Sequence, residues 1–182
     1  MMVTEALTLQ PPMGFAQLFR DNAPFAWRCL RRMGLSSADA DEVCQEVFII
    51  VHRRLGDYDG RASLRAWIHG ICIRKAIDHR RLARHRREEY GSEAAEAPSG
   101  DDPSESVDRS RALQWLDDVL GGLDDDKRAA FVLYEIEGFS IQEVASALSC
   151  PLQTAYSRLA AARAQIDAAL RRRQAGRRTY EL

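Results

Sequence analysis

Apolar residues recur along most of the chain at the three- and four-residue spacing of helices that face a core. The first such stretch extends from about Phe15 to Met33, and Gly34 follows it as a helix stop. The second begins after Ser36, a capping residue with Asp39 three positions on as its reciprocal partner. No stretch shows the convincing two-residue alternation of a strand, so the pattern predicts an all-α fold.

The third predicted helix follows Ser63, a further capping residue, and ends in a tail that is almost wholly polar. Its apolar face consists of Leu64, Trp67, Ile68, Ile71 and Ile77. From about Glu88 to Arg109 the periodicity gives way to glycine, proline, serine and acidic residues, which is typical of a flexible linker. We therefore expect two small helical domains on a flexible acidic tether. The predicted division is a tail at 1–12, a first domain at 13–88, a linker at 89–109, a second domain at 110–174 and a tail at 175–182.

Helical signals resume after the linker at "RALQWLDDVLGGL". Asp124 or Asp125 can cap the next helix, which Gly138 closes. Ser140 and Glu143 then form the capping-box pattern ahead of another apolar stretch.

The chain breaks at Ser149-Cys150-Pro151 and returns at once to a helical pattern that continues to about Arg173. A proline costs no hydrogen bond at the start of a helix, because its N–H would be unpaired there. Helix, three-residue turn and helix is the helix-turn-helix layout, whose second helix lies in the major groove of duplex DNA.

The last predicted helix has one apolar face, made of Ala155, Leu159, Ala162 and Ile166. Its other faces carry polar side chains near the N-terminal end of the helix. In the major groove of DNA, glutamine side chains can pair with adenine and arginine side chains with guanine. The candidate duplex contacts of this domain are Ser140, Gln153, Thr154, Tyr156, Ser157, Arg158 and Arg163. The alternative is an ordinary helical hairpin with a solvated polar face.

The net charge of −1 conceals a strong segregation along the chain. Residues 1–90 carry 15 basic and 11 acidic side chains, residues 91–126 carry 2 and 11, and residues 127–182 carry 9 and 5. Two basic blocks flanking an acidic segment indicate two modules that face polyanions, joined by a connector that does not.

Two surfaces of the first domain carry different chemistry. The third helix interleaves basic side chains with Trp67 and His69, a combination that suits single-stranded nucleic acid whose bases can stack. The spacing of Trp67 also fits a core position. The second helix presents an acidic and amide patch, which either is solvated or docks a basic partner. This patch consists of Asp41, Glu42, Gln45 and Glu46.

Several classes of protein are excluded by what the sequence lacks. The four cysteines form no C-x-x-C pair, and three of them lie among apolar residues, which favours buried reduced thiols. The four histidines show no metal-ligand spacing, and no glycine-rich phosphate loop or nucleophile elbow occurs. We therefore expect no enzyme, no metal site and no cofactor.

No apolar run approaches the roughly 20 residues that span a bilayer, and no signal-peptide pattern occurs, so we expect a cytoplasmic protein.

Three stretches together resemble the extracytoplasmic-function sigma factors of the bacterial sigma-70 family. "ADEVCQEVFIIVHRRL" is similar to their region 2.2, and "GRASLRAWIHGICIRKAIDHRR" is similar to regions 2.3 and 2.4. "LDDDKRAAFVLYEIEGFSIQEVASALSCPLQTAYSRLAAARAQI" is similar to region 4. The resemblance covers roughly Phe15 to Leu170 and skips the linker.

The resemblance implies a protein that binds core RNA polymerase and directs it to promoters. The clamp helices of the beta-prime subunit would contact Asp41, Glu42, Gln45, Glu46 and Phe48. The opened −10 element would contact Asp59, Arg61, Ser63, Arg65, His69, Arg74, Lys75, Asp78, Arg80 and Arg81. The second domain would read the −35 element as duplex and dock on the beta flap, while the linker would thread toward the active-site cleft or the RNA exit channel. An anti-sigma factor would regulate the protein, without membrane insertion of this chain.

Several positions depart from the family pattern, so the family's promoter sequences do not carry over. Arg74 stands where asparagine is common, Tyr156 replaces a usual basic residue, and Ala160-Ala161 replaces a common His-Arg pair. The alternative function is a stand-alone helix-turn-helix regulator, with the first domain serving dimerisation or sensing. That alternative predicts duplex binding without polymerase, at palindromic sites if the protein is a dimer.

Overall fold

The computed structural model describes residues 14–90 and 107–179, without the side chains of 87, 90, 107–113 and 175–179. The seven α-helices of the described residues are α1 (Phe15–Arg32), α2 (Ser37–Arg54), α3 (Leu64–Tyr90), α4 (Val107–Gly121), α5 (Asp125–Phe131), α6 (Ile141–Ala147) and α7 (Leu152–Thr179). A 3-10 turn at Leu55–Asp57 follows α2. The described residues contain no strand, and the predicted all-α fold is confirmed. Most of the predicted linker lies outside the described residues, although α3 and α4 extend two or three residues into its predicted range.

The predicted caps of the first domain are present. The Asp39 N–H donates to Ser36 Oγ at 3.1 Å, and the Ala66 N–H donates to Ser63 Oγ at 3.3 Å. Each serine therefore satisfies a backbone donor that a helix N-terminus would otherwise leave unpaired. Helices α1, α2 and α3 pack as a bundle around side chains that are almost fully buried, among them Leu30, Val47 and Ile68.

The predicted starts of α5 and α6 are also confirmed. The Lys127 N–H donates to Asp124 Oδ1 at 2.9 Å, so Asp124 is the cap. The Glu143 N–H donates to Ser140 Oγ at 3.3 Å and the Ser140 N–H donates to Glu143 Oε2 at 3.0 Å, which completes the capping box. Gly138 has a φ of +75° and closes the preceding helical segment, as expected of a glycine C-cap.

The helix predicted to continue to Gly138 is instead interrupted by one widened turn. Helix α5 ends at Phe131, and Val132–Ile136 form a π-helical turn in which the Glu137 N–H donates to the Val132 carbonyl at 2.9 Å. A π-turn inserts an extra residue and rotates the side chains that follow it. Sequence periodicity over so few residues does not distinguish this turn from an α-helix.

The helix-turn-helix connection is as compact as the sequence predicted. Ser149 adopts a left-handed backbone at φ +51°, which is uncommon outside glycine and reverses the chain between α6 and α7. The predicted inner face of α7 is buried, and it consists of Ala155, Leu159, Ala162 and Ile166. The sequence therefore placed both the turn and the face of the second helix correctly.

The described cysteines are all free thiols, and Cys29, Cys44 and Cys72 are buried. Burial raises the pKa of Cys29 and Cys72, so both thiols remain protonated. The expectation of buried reduced cysteines is confirmed for these three. Among the residues described, no helix has both the length and the apolar character that crossing a membrane requires.

The two helical units contact each other through α3 and α6. The two backbones approach closely at Gly70 of α3, where an added Cβ would lie 2.8 Å from the Ala147 carbonyl oxygen and 3.1 Å from the Ala147 Cα. Only a glycine permits this separation of the two backbones. We refer to the packing of α3 against the α5–α6 segment as the interdomain contact.

We expect Ser140→Ala to lower the unfolding free energy by about 1 kcal/mol, because the alanine leaves the first turn of α6 without its side-chain acceptor. Urea unfolding followed by circular dichroism measures the change. Ser146→Ala, at an exposed position of the same helix, is the control and is expected to be neutral or slightly stabilising. Equal effects of the two substitutions would contradict a capping role for Ser140.

Candidate nucleic-acid interface

The outward-facing residues of the first turns of α7 form a largely polar surface. Gln153 and Ser157 are exposed, and Tyr156 exposes 49% of its surface. Ser157 donates its hydroxyl to the Thr154 carbonyl at 3.0 Å, so this hydroxyl is held along the helix. Ala160 occupies the next exposed position and lets the helix approach a groove closely. An amide, a phenol and a hydroxyl on one exposed helix face are suited to reading base edges.

Two arginines of α7 are held at the edges of this face by carboxylates of the same domain. Arg158 pairs with Asp126, and Arg163 pairs with Glu135. The hydrogen bond from Arg163 to Glu135 raises the pKa of the guanidinium. Because these ion pairs are partly exposed, phosphate oxygens can replace the carboxylates at small cost.

A shallow groove lies beside this face, between the π-turn and α7. Its lining includes Tyr134, Ser140, Gln142 and Tyr156. Ser140 is committed to the capping box, so its side chain fixes the start of α6 and lies at the edge of the groove. Arg163 also stands 5.3 Å from the centre of the Tyr134 ring.

The candidate −10 residues fall into two groups in the structure. Asp59 and Arg61 form an exposed pair in the loop before α3, with Arg61 Nε 3.2 Å from the Asp59 carboxylate. Lys75 pairs with Glu46 of α2, while Asp78 and Arg81 are exposed on α3. These five side chains contribute to a surface that the C-terminal helices leave open.

The other five candidate −10 residues contact the C-terminal helices. Ser63 donates to Glu143 at 2.6 Å, and Arg74 donates to the Ala147 carbonyl at 3.1 Å. The remaining pairs are Arg65 with Glu137 at 3.0 Å, His69 with Glu137 at 3.5 Å and Arg80 with Asp125 at 2.6 Å. His69 is fully buried in this arrangement, so it is not accessible to a base.

The acidic and amide patch on α2 lies beside an exposed apolar strip. Asp41 accepts a hydrogen bond from the Trp27 indole at 2.8 Å, whereas Glu42 and Gln45 are exposed. Phe48 exposes only 3% of its surface, and its ring meets the exposed Phe19 ring edge to face at 4.8 Å between centres. Phe48 therefore forms the floor of a groove and does not project from the surface.

Both halves of the chain match models of known protein families. The model for sigma-70 region 2 matches residues 18–87, and the model for sigma-70 region 4 matches residues 113–166. RNA polymerase sigma factor NccH of Alcaligenes xylosoxydans is 31% identical over 180 residues, which cover 94% of this chain and 97% of NccH. This chain belongs to the sigma-70 family.

Two further similarities place the chain among the extracytoplasmic-function sigma factors. The ECF RNA polymerase sigma factor SigM of Mycobacterium tuberculosis is 30% identical over 157 residues, covering 84% of this chain and 74% of SigM. The solved structure of CnrH in complex with the cytosolic domain of CnrY matches with a TM-score of 0.63 and 28% identity, over 86% of each chain. This sigma factor directs promoter-specific initiation of transcription by RNA polymerase.

Glu137 is the most enclosed carboxylate of the contact between region 2 and region 4. Its side chain is 4% exposed and lies 3.2 Å from Arg32, 3.0 Å from Arg65 and 3.5 Å from His69. Burial alone would raise the pKa of Glu137, but the His69 imidazole and the two guanidinium groups outweigh it and lower the pKa. Glu137 therefore stays ionised within the protein.

Sequence reasoning missed the region 4 residues that contact region 2. Neither Glu137 nor Arg128 had a role predicted from the sequence, and Asp125 was predicted only as a possible helix cap. Arg128 is in fact 3% exposed, donates to the Arg32 carbonyl at 2.5 Å and has a pKa lowered by burial to about 10. Their partners are far away along the chain, so no local pattern could have found them. No cluster of His, Cys, Asp or Glu suited to a metal ion occurs in the part of the chain that the structure describes.

The pKa of Glu137 predicts a pH-dependent stability. A lowered pKa in the folded protein means that the stabilisation is complete above the ordinary value of 4.5 and is lost as the pH falls through the lower folded value. Glu137→Gln is expected to lower the unfolding free energy by about 2 kcal/mol at pH 7. The difference in unfolding free energy between this variant and the native protein should become smaller at pH values well below 4.5.

Urea unfolding of both proteins at neutral and acid pH measures that difference. Glu135→Gln is the matched control, since it removes a carboxylate two residues earlier that pairs only within region 4 in the described contacts. A Glu137→Gln difference that stays constant with pH would contradict the stabilising role of the ionised carboxylate.

Proposed function

We propose that the α2 patch binds the clamp helices of the polymerase beta-prime subunit. The observation that carries this assignment is the combination of exposed acid and amide with apolar surface on one helix face. Glu42 and Gln45 offer acceptors, Ile49 exposes 51% of its surface beside them, and Phe48 forms the floor. A polar rim around apolar contacts is the usual composition of a specific protein interface. The five residues involved are Asp41, Glu42, Gln45, Glu46 and Phe48.

We further propose that the loop before α3 and the exposed side of α3 capture the opened −10 element. Basic side chains on this surface neutralise phosphates, and Tyr58 packs 5.6 Å from Trp67 between ring centres at the base of the loop. The proposed contacts that region 4 leaves open are Asp59, Arg61, Lys75, Asp78 and Arg81. The remaining proposed contacts, Ser63, Arg65, His69, Arg74 and Arg80, reach DNA only where region 4 no longer covers them.

Region 4 is proposed to read the −35 element as duplex through the outward face of α7 and to dock on the beta flap. Gln153, Tyr156, Ser157 and Arg158 are proposed to meet base edges and Arg163 to meet phosphates, with both arginines first leaving their carboxylates. Ser140 and Thr154 complete the proposed set.

An anti-sigma factor is the proposed regulator, since CnrH was solved in complex with the cytosolic domain of CnrY and resembles this chain over most of its length. The sigma factor itself is proposed to act in the cytoplasm without catalysis of its own. Promoter melting is then driven by binding energy, and RNA polymerase performs the chemistry.

The double substitution Gln45→Ala and Glu46→Ala is expected to abolish co-elution with core RNA polymerase and run-off transcription from genomic promoter fragments. It removes a polar anchor from the proposed clamp contact while leaving the buried face of α2 unchanged. Circular dichroism should show native helix content.

The matched control for this double variant is Gln17→Ala with Asp21→Ala, an amide and acid pair on α1 that is joined by a 2.7 Å hydrogen bond. The control should retain polymerase binding. A Gln45/Glu46 variant that still binds polymerase would refute the α2 assignment. Duplex binding by the native protein without any polymerase complex would favour the stand-alone regulator.

Gln153→Ala is expected to weaken −35 recognition by about 1–3 kcal/mol, because one base-specific hydrogen-bonded pair is lost. The measurement is competition transcription on a promoter found in the run-off experiment, with single base changes in its −35 element. Gln165→Ala, an exposed glutamine further along the same helix, is the control. Promoter selectivity that survives Gln153→Ala combined with Arg158→Ala would contradict the assignment of the recognition helix.

A further inference from the structure

The solvent side of α7 carries exposed apolar side chains next to its polar ones. Leu152 exposes 43% of its surface, Tyr156 exposes 49%, and Ala160 is exposed one turn further on. The three residues follow one another at intervals of four, so they form one continuous line along the helix, which we call the outer stripe. The outer stripe is separate from the face that packs into region 4, which consists of Ala155, Leu159, Ala162 and Ile166.

The charges near the outer stripe favour a polyanion as its partner. Residues 151–166 contain two arginines and no acidic side chain. These arginines, Arg158 and Arg163, extend toward Asp126 in α5 and Glu135 in the π-turn. Exposed polar and apolar groups thus lie between two cations, and in a major groove the base edges likewise lie between two phosphate backbones.

The apolar character of the outer stripe indicates which base it meets. The major groove presents hydrogen-bonding groups on all four bases, and its apolar group is the 5-methyl group of thymine. Alanine methyl groups and aromatic rings are among the side-chain groups that contact this methyl. A half-exposed phenol ring and a half-exposed leucine, one turn apart at the start of α7, provide a larger apolar surface of the same kind.

We propose that the outer stripe reads thymine methyl groups in the −35 element, with Leu152 and Tyr156 as specificity-determining residues. This inference rests on the proposed reading of the −35 duplex by α7. Four residues advance a helix by about 6 Å, and base pairs stack about 3.4 Å apart, so the two side chains meet thymines one or two base pairs apart. Gln153 lies next to Leu152, and an amide pairs with adenine. The −35 element is therefore rich in A·T pairs where it faces the first turns of α7.

Replacing thymine by uracil tests the methyl contact directly, because deoxyuridine pairs with adenine as thymine does and lacks only the 5-methyl group. The duplex is the promoter found in the run-off experiment, with each thymine of its −35 element, on either strand, replaced in turn. Binding of the holoenzyme, formed from core RNA polymerase and this chain, is measured by fluorescence anisotropy at one fixed salt concentration. We expect two of the replacements to weaken binding about fourfold each, the effect of exposing one methyl group. Deoxyuridine in the spacer between the two promoter elements is the control and should have no effect.

Substitutions in the outer stripe connect each uracil effect to one side chain. Tyr156→Ala should abolish the fourfold effect at one position and leave the other unchanged, and Leu152→Ala should do the reverse. Tyr156→Phe should retain both effects, because the ring and not the hydroxyl makes the contact. Both residues are exposed, so the buried face of α7 is unchanged and circular dichroism should show native helix content. Gln165→Ala, at an exposed position further along α7, is the protein control and should also retain both effects.

Three outcomes would overturn the proposal: a −35 element without thymine, uracil replacements that leave binding unchanged, or uracil effects that persist in both alanine variants. Loss of binding in Tyr156→Phe would also overturn it, since the phenol hydroxyl would then make the contact. If Tyr156→Ala lowers transcription while uracil is tolerated, the outer stripe contacts a protein and the proposal is wrong.

The failure of this inference is distinct from the failure of the proposed function. Promoter selectivity that tolerates uracil but is lost in Gln153→Ala combined with Arg158→Ala would keep the −35 assignment of α7 and reject only the methyl contact. Failure to obtain any promoter would reject the proposed function and this inference with it.

Discussion

The burial of the Glu137 carboxylate against region 2 is the constraint on which the arrangement of the two domains depends. A carboxylate that is 4% exposed is stable only if cations and donors replace the water it has lost. Arg32, Arg65 and His69 supply that replacement from α1 and α3, and the pKa of Glu137 stays below its ordinary value. Removing any of these partners leaves a buried charge that is poorly compensated, so the two regions are coupled.

Arginines of α3 that stabilise the contact with region 4 are also among the residues proposed to bind DNA. Phosphates and carboxylates are both bidentate acceptors for guanidinium groups, so an arginine that binds DNA in one state can bind an acid of its own chain in another. Arg65 and Arg80, two of the proposed −10 contacts, pair with Glu137 and Asp125 of region 4. Burial and the neighbouring Arg54 lower the pKa of Arg74, which donates instead to a backbone carbonyl at the turn after α6. A basic surface that is proposed to bind DNA is thereby shielded by its own chain.

Local features of the backbone position the region 4 side chains that contact region 2. The π-turn at Val132–Ile136 adds one residue to the backbone spacing just before Glu137, and Gly138 ends the segment immediately after it. The capping box then fixes Glu143, which faces Ser63 across the contact. Irregular backbone at the end of one helix and the start of the next therefore determines where both acids lie.

The sequence by itself determined the helices, their caps, the helix-turn-helix connection and the inner face of α7, because these depend on interactions within a few residues. Ser36, Asp124 and Ser140 cap the helices they were predicted to cap, and Ala155 and Leu159 are buried as their spacing required. The tertiary structure alone decided the environments of Glu137, Arg128 and His69. Each owes its burial to partners in the other region. Charge, unlike hydrophobic periodicity, carries no local sign of whether its partner is water, DNA or a distant part of the same chain.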